Sequence, residues 1–249
     1  VDVGAYLKRI GLSEGVEASV DGLERLQRAH MSCVPFENLD VFHHRGVDTG
    51  VEWSVPKIVA RGRGGWCYEL NGAFAVLLEE LGFVVKRLGA TVLLSDEVST
   101  VPDHLTINVT LDRHYLVDVG FGDSFIRPLP LDSTGPHDGG VGEFGFVLNG
   151  DETTLIAYRS DGDGEPQYRF DSNTYETTDF DNPSQRLQTD PSLHWTKSPF
   201  ATRLLDGGPD RVTLLRDQLK FRRDGIWVEE PVTEEAWPIV LDQWFGMTP

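Results

Sequence analysis

The sequence predicts an α+β fold, with a helical N-terminal lobe, a β-rich middle and a mixed C-terminal lobe. Three observations carry this. Leu70, Phe74, Leu77 and Leu81 repeat at helical spacing, and Gly82 stands where a helix-ending glycine belongs. After Gly82 the period changes to that of strands. Residues 104–111 and 115–121 then alternate apolar and polar side chains about Asp112–Arg113, the pattern of a hairpin.

The remaining elements follow in order. Val3, Tyr6, Leu7 and Ile10 mark one helical face, and Leu23, Leu26 and Ala29 mark another, with Asp21 in an N-cap position. Pro35, in Val-Pro-Phe-Glu-Asn-Leu at 34–39, ends that run. Residues 54–61 suit a short helix capped by Ser54, with Pro56 in its first turn. The strongest helix opens at Cys67 or Tyr68. In the hairpin, Leu105, Ile107, Val109 and Leu111 share one face, and His104, Thr106, Asn108 and Thr110 the other. Further short strands continue to about residue 179, broken by Gly- and Asp-rich turns at 134–142 and 160–164. An apolar stretch at 237–245 closes the chain, with Pro238 setting where a helix there begins.

The 249 residues suffice for a sizeable core, and apolar content and a mildly negative mean hydropathy are ordinary for a globular chain. A net charge of −18 argues against nucleic-acid binding and against anionic membranes, both of which call for basic patches. It also gives an anionic ligand no long-range attraction, so any phosphate contact must be local. No basic-then-apolar leader and no membrane-length apolar run is present, and two cysteines, Cys33 and Cys67, are too few for a disulfide framework. The expectation is a cytoplasmic protein with free thiols. Oligomeric state is not legible.

The most informative segment, residues 61–71, reads Arg-Gly-Arg-Gly-Gly-Trp-Cys-Tyr-Glu-Leu-Asn. Free N–H groups and the dipole at a helix N-terminus stabilise a thiolate, which is the nucleophilic form of cysteine. Arg61 and Arg63 add positive charge if they lie close, and the glycines let backbone and substrate approach each other. A cysteine in general is more often a small packing residue. Cys33, between Met31 and Val34 at a helix end, reads that way; Cys67, among glycines and charges, does not. A nucleophilic cysteine needs a base, and an imidazole oriented by a carboxylate supplies one. His104 follows Asp103 at a strand start, and Asp118 sits between Val117 and Val119, where a strand would rather hold an apolar or β-branched residue. The hairpin leaves their meeting open. A two-residue loop at Asp112–Arg113 puts them on opposite faces. A three-residue loop at 112–114 puts them on one face, but opposes Asp118 to Asn108 and leaves His104 about 13 Å along the strand. Direct opposition centres the turn on Leu111, a poor turn residue. A bulge or bend is therefore required. Cys, His and Asp also ligate zinc, but no close-spaced ligand pair such as Cys-x-x-Cys is present, so no metal is expected.

Residues 63–71 resemble the RGGxCxExN signature of the arylamine N-acetyltransferases. The resemblance extends to 34–39 upstream, and downstream to Asp103-His104-Leu105 and to Val-Asp-Val-Gly-Phe-Gly at 117–122, all in the family's order. It implies an N-terminal helical bundle (1–83) carrying Cys67, a central β-barrel (84–190) carrying His104 and Asp118, and a C-terminal α/β lid (191–249). It implies a papain-like Cys67–His104–Asp118 site that acetylates Cys67 from acetyl-CoA and passes the acetyl group to a small aromatic amine or hydrazine. It further implies acceptor contacts from Phe36, Trp66, Tyr68 and Phe121, CoA contacts from Asp103, Gly120 and Gly122, and support of the cysteine loop by Arg63, Glu69 and Asn71. Trp66 and Asp103 depart from the residues common at their positions in the family. An amide synthase of the same family, closing an ansamycin-type macrolactam from a polyketide thioester, would use the same triad. A papain- or transglutaminase-like hydrolase would send water to the acyl-cysteine, and a non-enzymatic acidic binding module would leave the triad a coincidence.

Overall fold

The computed structural model describes every residue except 14, 95–97, 160–161 and 249, so part of the expected turn at 160–164 lies outside the described residues. The N-terminal third is helical: α1 (Val3–Arg9), α2 (Val20–Cys33), the two-residue strand β1 (Phe36–Glu37), α3 (Leu39–Phe42), α4 (Val51–Val59) and α5 (Cys67–Glu80). Two starts differ from expectation. The cap of α2 is Ser19, whose Oγ accepts from Gly22 N at 3.1 Å; Asp21 already lies in the first turn. Helix α4 begins at Val51 after Gly50, and Pro56 stands inside it at the loss of one backbone bond. The misleading signal was Ser54, a good cap residue that here is buried in the helix.

The middle of the chain forms β2 (Val84–Val92), β3 (His104–Thr110), β4 (His114–Val117), β5 (Leu129–Pro130), β6 (His137–Asp138), β7 (Glu143–Asn149), β8 (Glu152–Tyr158) and β9 (Gly164–Phe170). They make one antiparallel sheet ordered β5-β4-β3-β2-β9-β8-β7-β6, and contact between the end strands β5 and β6 nearly closes it into a barrel. A short 3₁₀ turn (Thr177–Phe180), α6 (Asp181–Thr189) and α7 (His194–Lys197) lead to a second antiparallel sheet. It contains β10 (Ala201–Leu204), β11 (Arg211–Leu214), β12 (Gln218–Arg223) and β13 (Ile226–Pro231), is backed by α8 (Trp237–Phe245), and takes β1 as its far edge, with Phe36 opposite Thr202. No helix among the described residues is long and apolar enough to cross a membrane.

The first half of strand β3 is buried on both faces. Leu105, Ile107 and Val109 join the cores built on α5, while His104 and Thr106 point the other way and are equally buried. The first two polar side chains of that alternation therefore face an interior, and Asn108 and Thr110 beyond them are half-buried. The hairpin turn resolves the register. Thr110 pairs with His114 and Ile107 with Val117, which leaves a three-residue loop at 111–113, closed by Leu111 N to Arg113 O at 2.9 Å. Leu111 belongs to the turn and not to the strand. Continuing this register sets Asp118 across from Thr106, two residues from His104 and on its face, a diagonal spacing that side chains can span without a bulge.

Arg9 ties the helical layer together. Its Nε donates to Ile58 O (2.9 Å), Nη1 to Cys33 O (2.6 Å) and Nη2 to Gly62 O (3.0 Å). One guanidinium thus satisfies last-turn carbonyls of α4 and α2 and the start of the cysteine loop. Arg9→Met is expected to cost about 3 kcal/mol, because charge-assisted bonds are lost and their acceptors stay covered. Denaturant unfolding at unchanged m-value measures this; a loss below about 0.5 kcal/mol, the size of an ordinary surface substitution, would contradict it.

Candidate active site

Helix α5 carries Cys67 at its first position. The loop before it is pressed between β1 and the helix: Gly65 N donates to Pro35 O, and Glu37 N donates to Gly65 O. A side chain at Gly64 would run into the Pro35 carbonyl, so the first glycine of the pair is required by contact. Glu69, in the first turn of α5, accepts from Trp66 N at 3.2 Å and caps the helix start.

Beneath this loop lies a buried charge cluster. Lys57 Nζ stands 2.8 Å from both Glu69 Oε1 and Asp40 Oδ2, and Arg63 Nη2 donates to Glu37 Oε1 at 2.8 Å. Burial would lower the Lys57 pKa, but the three surrounding carboxylates overturn that and raise it. Burial likewise works against ionising Asp40, and the Lys57 and Arg63 charges hold its carboxyl below the usual range. Glu69 is raised by burial in spite of Lys57. Lys57 and Asp40 are the members the sequence reading missed; the signal for Lys57 was a lysine set among Val55, Ile58 and Val59 on an apolar helix.

Cys67, His104 and Asp118 come together where α5 crosses the hairpin. His104 Nε2 lies 2.7 Å from Asp118 Oδ2, which leaves Nδ1 for Cys67, a neighbour close enough to favour the charged imidazole. Asp118 is 1% exposed yet fully partnered. Its Oδ1 accepts from Asn71 Nδ2 (2.8 Å) and Gly120 N (2.9 Å), and Oδ2 also accepts from Tyr168 OH (3.1 Å). Burial alone would raise the Asp118 pKa, but the His104 charge and these donors bring it below the usual carboxylate range. Burial alone would lower that of His104; Asp118 reverses this, with a smaller contribution from Cys67, and pushes it up to about 10. Tyr168, on β9, lay in no motif. Its ring packs 5.1 Å from His104 and 4.9 Å from Phe121.

A cavity of about 730 Å³ opens over the sulfur. Phe36, Trp66, Asp103, His104, Gly120 and Phe121 line it, together with residues of α6 and α7 that the sequence reading did not single out, Trp195 and Arg186 among them. Gly120 is held to glycine by contact, since a Cβ there would meet Cys67 Cα at 2.8 Å. Two expected contact residues do not reach the cavity. Tyr68 is fully buried behind Trp66, its hydroxyl donating to Asp103 O at 2.8 Å, so it steadies the start of β3 and not a substrate. Gly122 lies behind the Phe36 ring, with φ +93°.

The charge pair has a pH signature. Because the folded pKa of His104 is raised from 6.5 to about 10, its contribution to stability is full below about pH 6.5 and is lost as pH rises toward 10. The depressed Asp118 contributes above its unfolded pKa of about 3.9 and loses that contribution only in acid. The stability difference between the wild type and Asp118→Asn is therefore expected to be widest between about pH 4 and 6.5 and to narrow toward pH 10. Denaturant unfolding across that range checks it; a difference independent of pH would contradict it.

Comparison with known proteins bears on this geometry. An N-acetyltransferase family model matches residues 19–248. The arylamine N-acetyltransferase of Mycolicibacterium smegmatis is 34% identical over 203 residues, covering 78% of this chain and 74% of the relative. That of Escherichia coli is 32% identical, covering 97% of this chain and 87% of the relative. The structure of Mycobacterium marinum arylamine N-acetyltransferase in complex with CoA superposes with a TM-score of 0.88 at 29% identity, covering 98% of this chain and 92% of that one. A matching family model over nearly the whole length, together with relatives above 30% identity, shows that the chain belongs to the arylamine N-acetyltransferase family.

Proposed function

We propose that the protein transfers an acetyl group from acetyl-CoA to the nitrogen of an aromatic amine or hydrazine, through a thioester on Cys67. The observation that carries this is the buried Cys67–His104–Asp118 array, with Cys67 and His104 lining a cavity. In the first half-reaction the Cys67 proton rests on the His104 imidazolium and the sulfur attacks the thioester carbonyl carbon. The tetrahedral adduct collapses to acetyl-Cys67, and CoA leaves with the proton from His104. In the second, the amine nitrogen attacks acetyl-Cys67, gives its proton to His104, and the N-acetyl product leaves as Cys67 is restored. Asp118 keeps the imidazole oriented and compensates its charge at each stage.

The remaining roles divide by position. Phe36, Trp66 and Phe121 flank the acceptor, Asp103 and Gly120 border the CoA arm, and Arg63, Glu69 and Asn71 hold the cysteine loop and triad in place. A cytoplasmic setting accords with two unpaired cysteines, one of them the nucleophile.

Steady-state CoA release, followed with a chromogenic disulfide while acetyl-CoA and an arylhydrazine are varied, tests the reading. Parallel double-reciprocal lines and amine-dependent release are expected. Cys67→Ala is expected to abolish turnover, and His104→Gln to lower kcat/KM by about a hundredfold or more. Unchanged turnover in Cys67→Ala would overturn the proposal.

A further inference from the structure

Trp195 stands on α7, a four-residue helix outside every motif in the sequence, and its side chain forms a wall of the cavity beside Cys67. It meets the two aromatic residues that flank the nucleophile: the Trp66 ring lies 5.9 Å away at 84°, and the Phe36 ring 6.1 Å away at 87°. Phe200 packs 5.8 Å from Trp195 and 5.4 Å from Phe36, which completes an aromatic box on this side. Trp66, the residue before the nucleophile, is 1% exposed.

The wall is held. Asn38 is 1% exposed; its Nδ2 donates to Trp195 O (2.8 Å) and Ser198 O (2.9 Å), and its Oδ1 accepts from Phe200 N (2.8 Å). One buried amide thus pins the strap from Trp195 to Phe200 against β1, the strand that carries Phe36. The backbone carrying Trp195 is thus fixed, and its indole is braced in place by the rings of Trp66, Phe36 and Phe200, so moving it aside for a larger ligand gives up that packing. Phe121, which also lines the cavity, is braced by His104 and Tyr168 at 5.1 and 4.9 Å, so a second held aromatic side chain borders this space.

We infer that Trp195 determines acceptor specificity: it limits the aromatic amine entering beside Cys67 to a single planar ring, and fused polycyclic amines are disfavoured by collision with its indole. The inference rests on the acetyl-transfer reading above. In a ping-pong reaction, kcat/KM for the acceptor describes only the encounter of acetyl-enzyme with amine, so the ratio between two acceptors is independent of the donor half-reaction. A general loss of structure would lower both acceptors alike and leave the ratio where it was.

The experiment measures kcat/KM for 4-methoxyaniline and for 2-aminofluorene with the full-length wild type, W195A and W195F. Removing the indole is expected to raise the 2-aminofluorene to 4-methoxyaniline ratio by about tenfold or more, the size of discrimination that a hydrophobic wall supplies, and W195F to give a smaller rise in the same direction. Should W195A fail to fold, W195L carries the same expectation. A ratio within about twofold of wild type in the folded variants, well under that discrimination, would overturn the inference while leaving acetyl transfer intact. A wild type that releases no CoA with either amine would overturn both.

Discussion

The site depends on one side-chain amide. Asn71, one turn into the helix that Cys67 opens, donates through Nδ2 to Leu105 O (2.6 Å) and Asp118 Oδ1 (2.8 Å) and accepts from Val119 N (2.9 Å). It is fully buried. With one donor pair and one acceptor it joins the cysteine helix to the strand carrying His104 and to the segment carrying Asp118. Residues 67, 104 and 118 belong to separate elements: the hairpin register sets 118 beside 104, and this clamp fixes the Cys67 helix against both. A buried amide satisfied on both ends tolerates little displacement, since any slip leaves polar groups unpaired in a dry interior.

The same constraint explains where charge is tolerated. An ionised carboxylate as buried as Asp118 is costly unless it is surrounded by donors and an opposite charge. Here Asn71, the Gly120 amide, Tyr168 and His104 supply them. The second buried cluster, under the cysteine loop, obeys the same rule with Lys57 and Arg63 set against Glu37, Asp40 and Glu69. One cluster shapes the loop before the nucleophile, and the other orients its base. They share the helix α5, through Glu69 and Asn71.

Much of this was legible in the sequence because it is local. The helical period at 67–81, the break at Gly82 and the alternation on either side of residue 112 stand in the structure as α5, β2 and the β3–β4 hairpin. The glycine pair before Cys67 and the lone acid at 118 marked the site through residue types that a packing role does not explain. What stayed hidden depends on tertiary placement. The meeting of His104 with Asp118 turned on whether Leu111 was the last strand residue or the first of the turn, and alternation alone favoured the wrong answer. Tyr68 looked like a pocket residue because it follows the nucleophile, but the helix turns it inward, away from the cavity. Tyr168 and Trp195 reach the site from β9 and α7, more than a hundred residues after Phe36, and carry no motif. Lys57 was visible only as a charge on an apolar helix, a signal without an address until three carboxylates are found around it.

A single-turnover reaction of the wild type with acetyl-CoA in the absence of amine, followed by peptide mapping of the two cysteines, bears most directly on the central claim that the Asn71-clamped triad makes Cys67 the acetyl carrier. A rapid burst of one CoA per chain is predicted, with the acetyl group on the peptide containing Cys67 and discharged on addition of an arylhydrazine. No burst, or an acetyl group on Cys33, would contradict it.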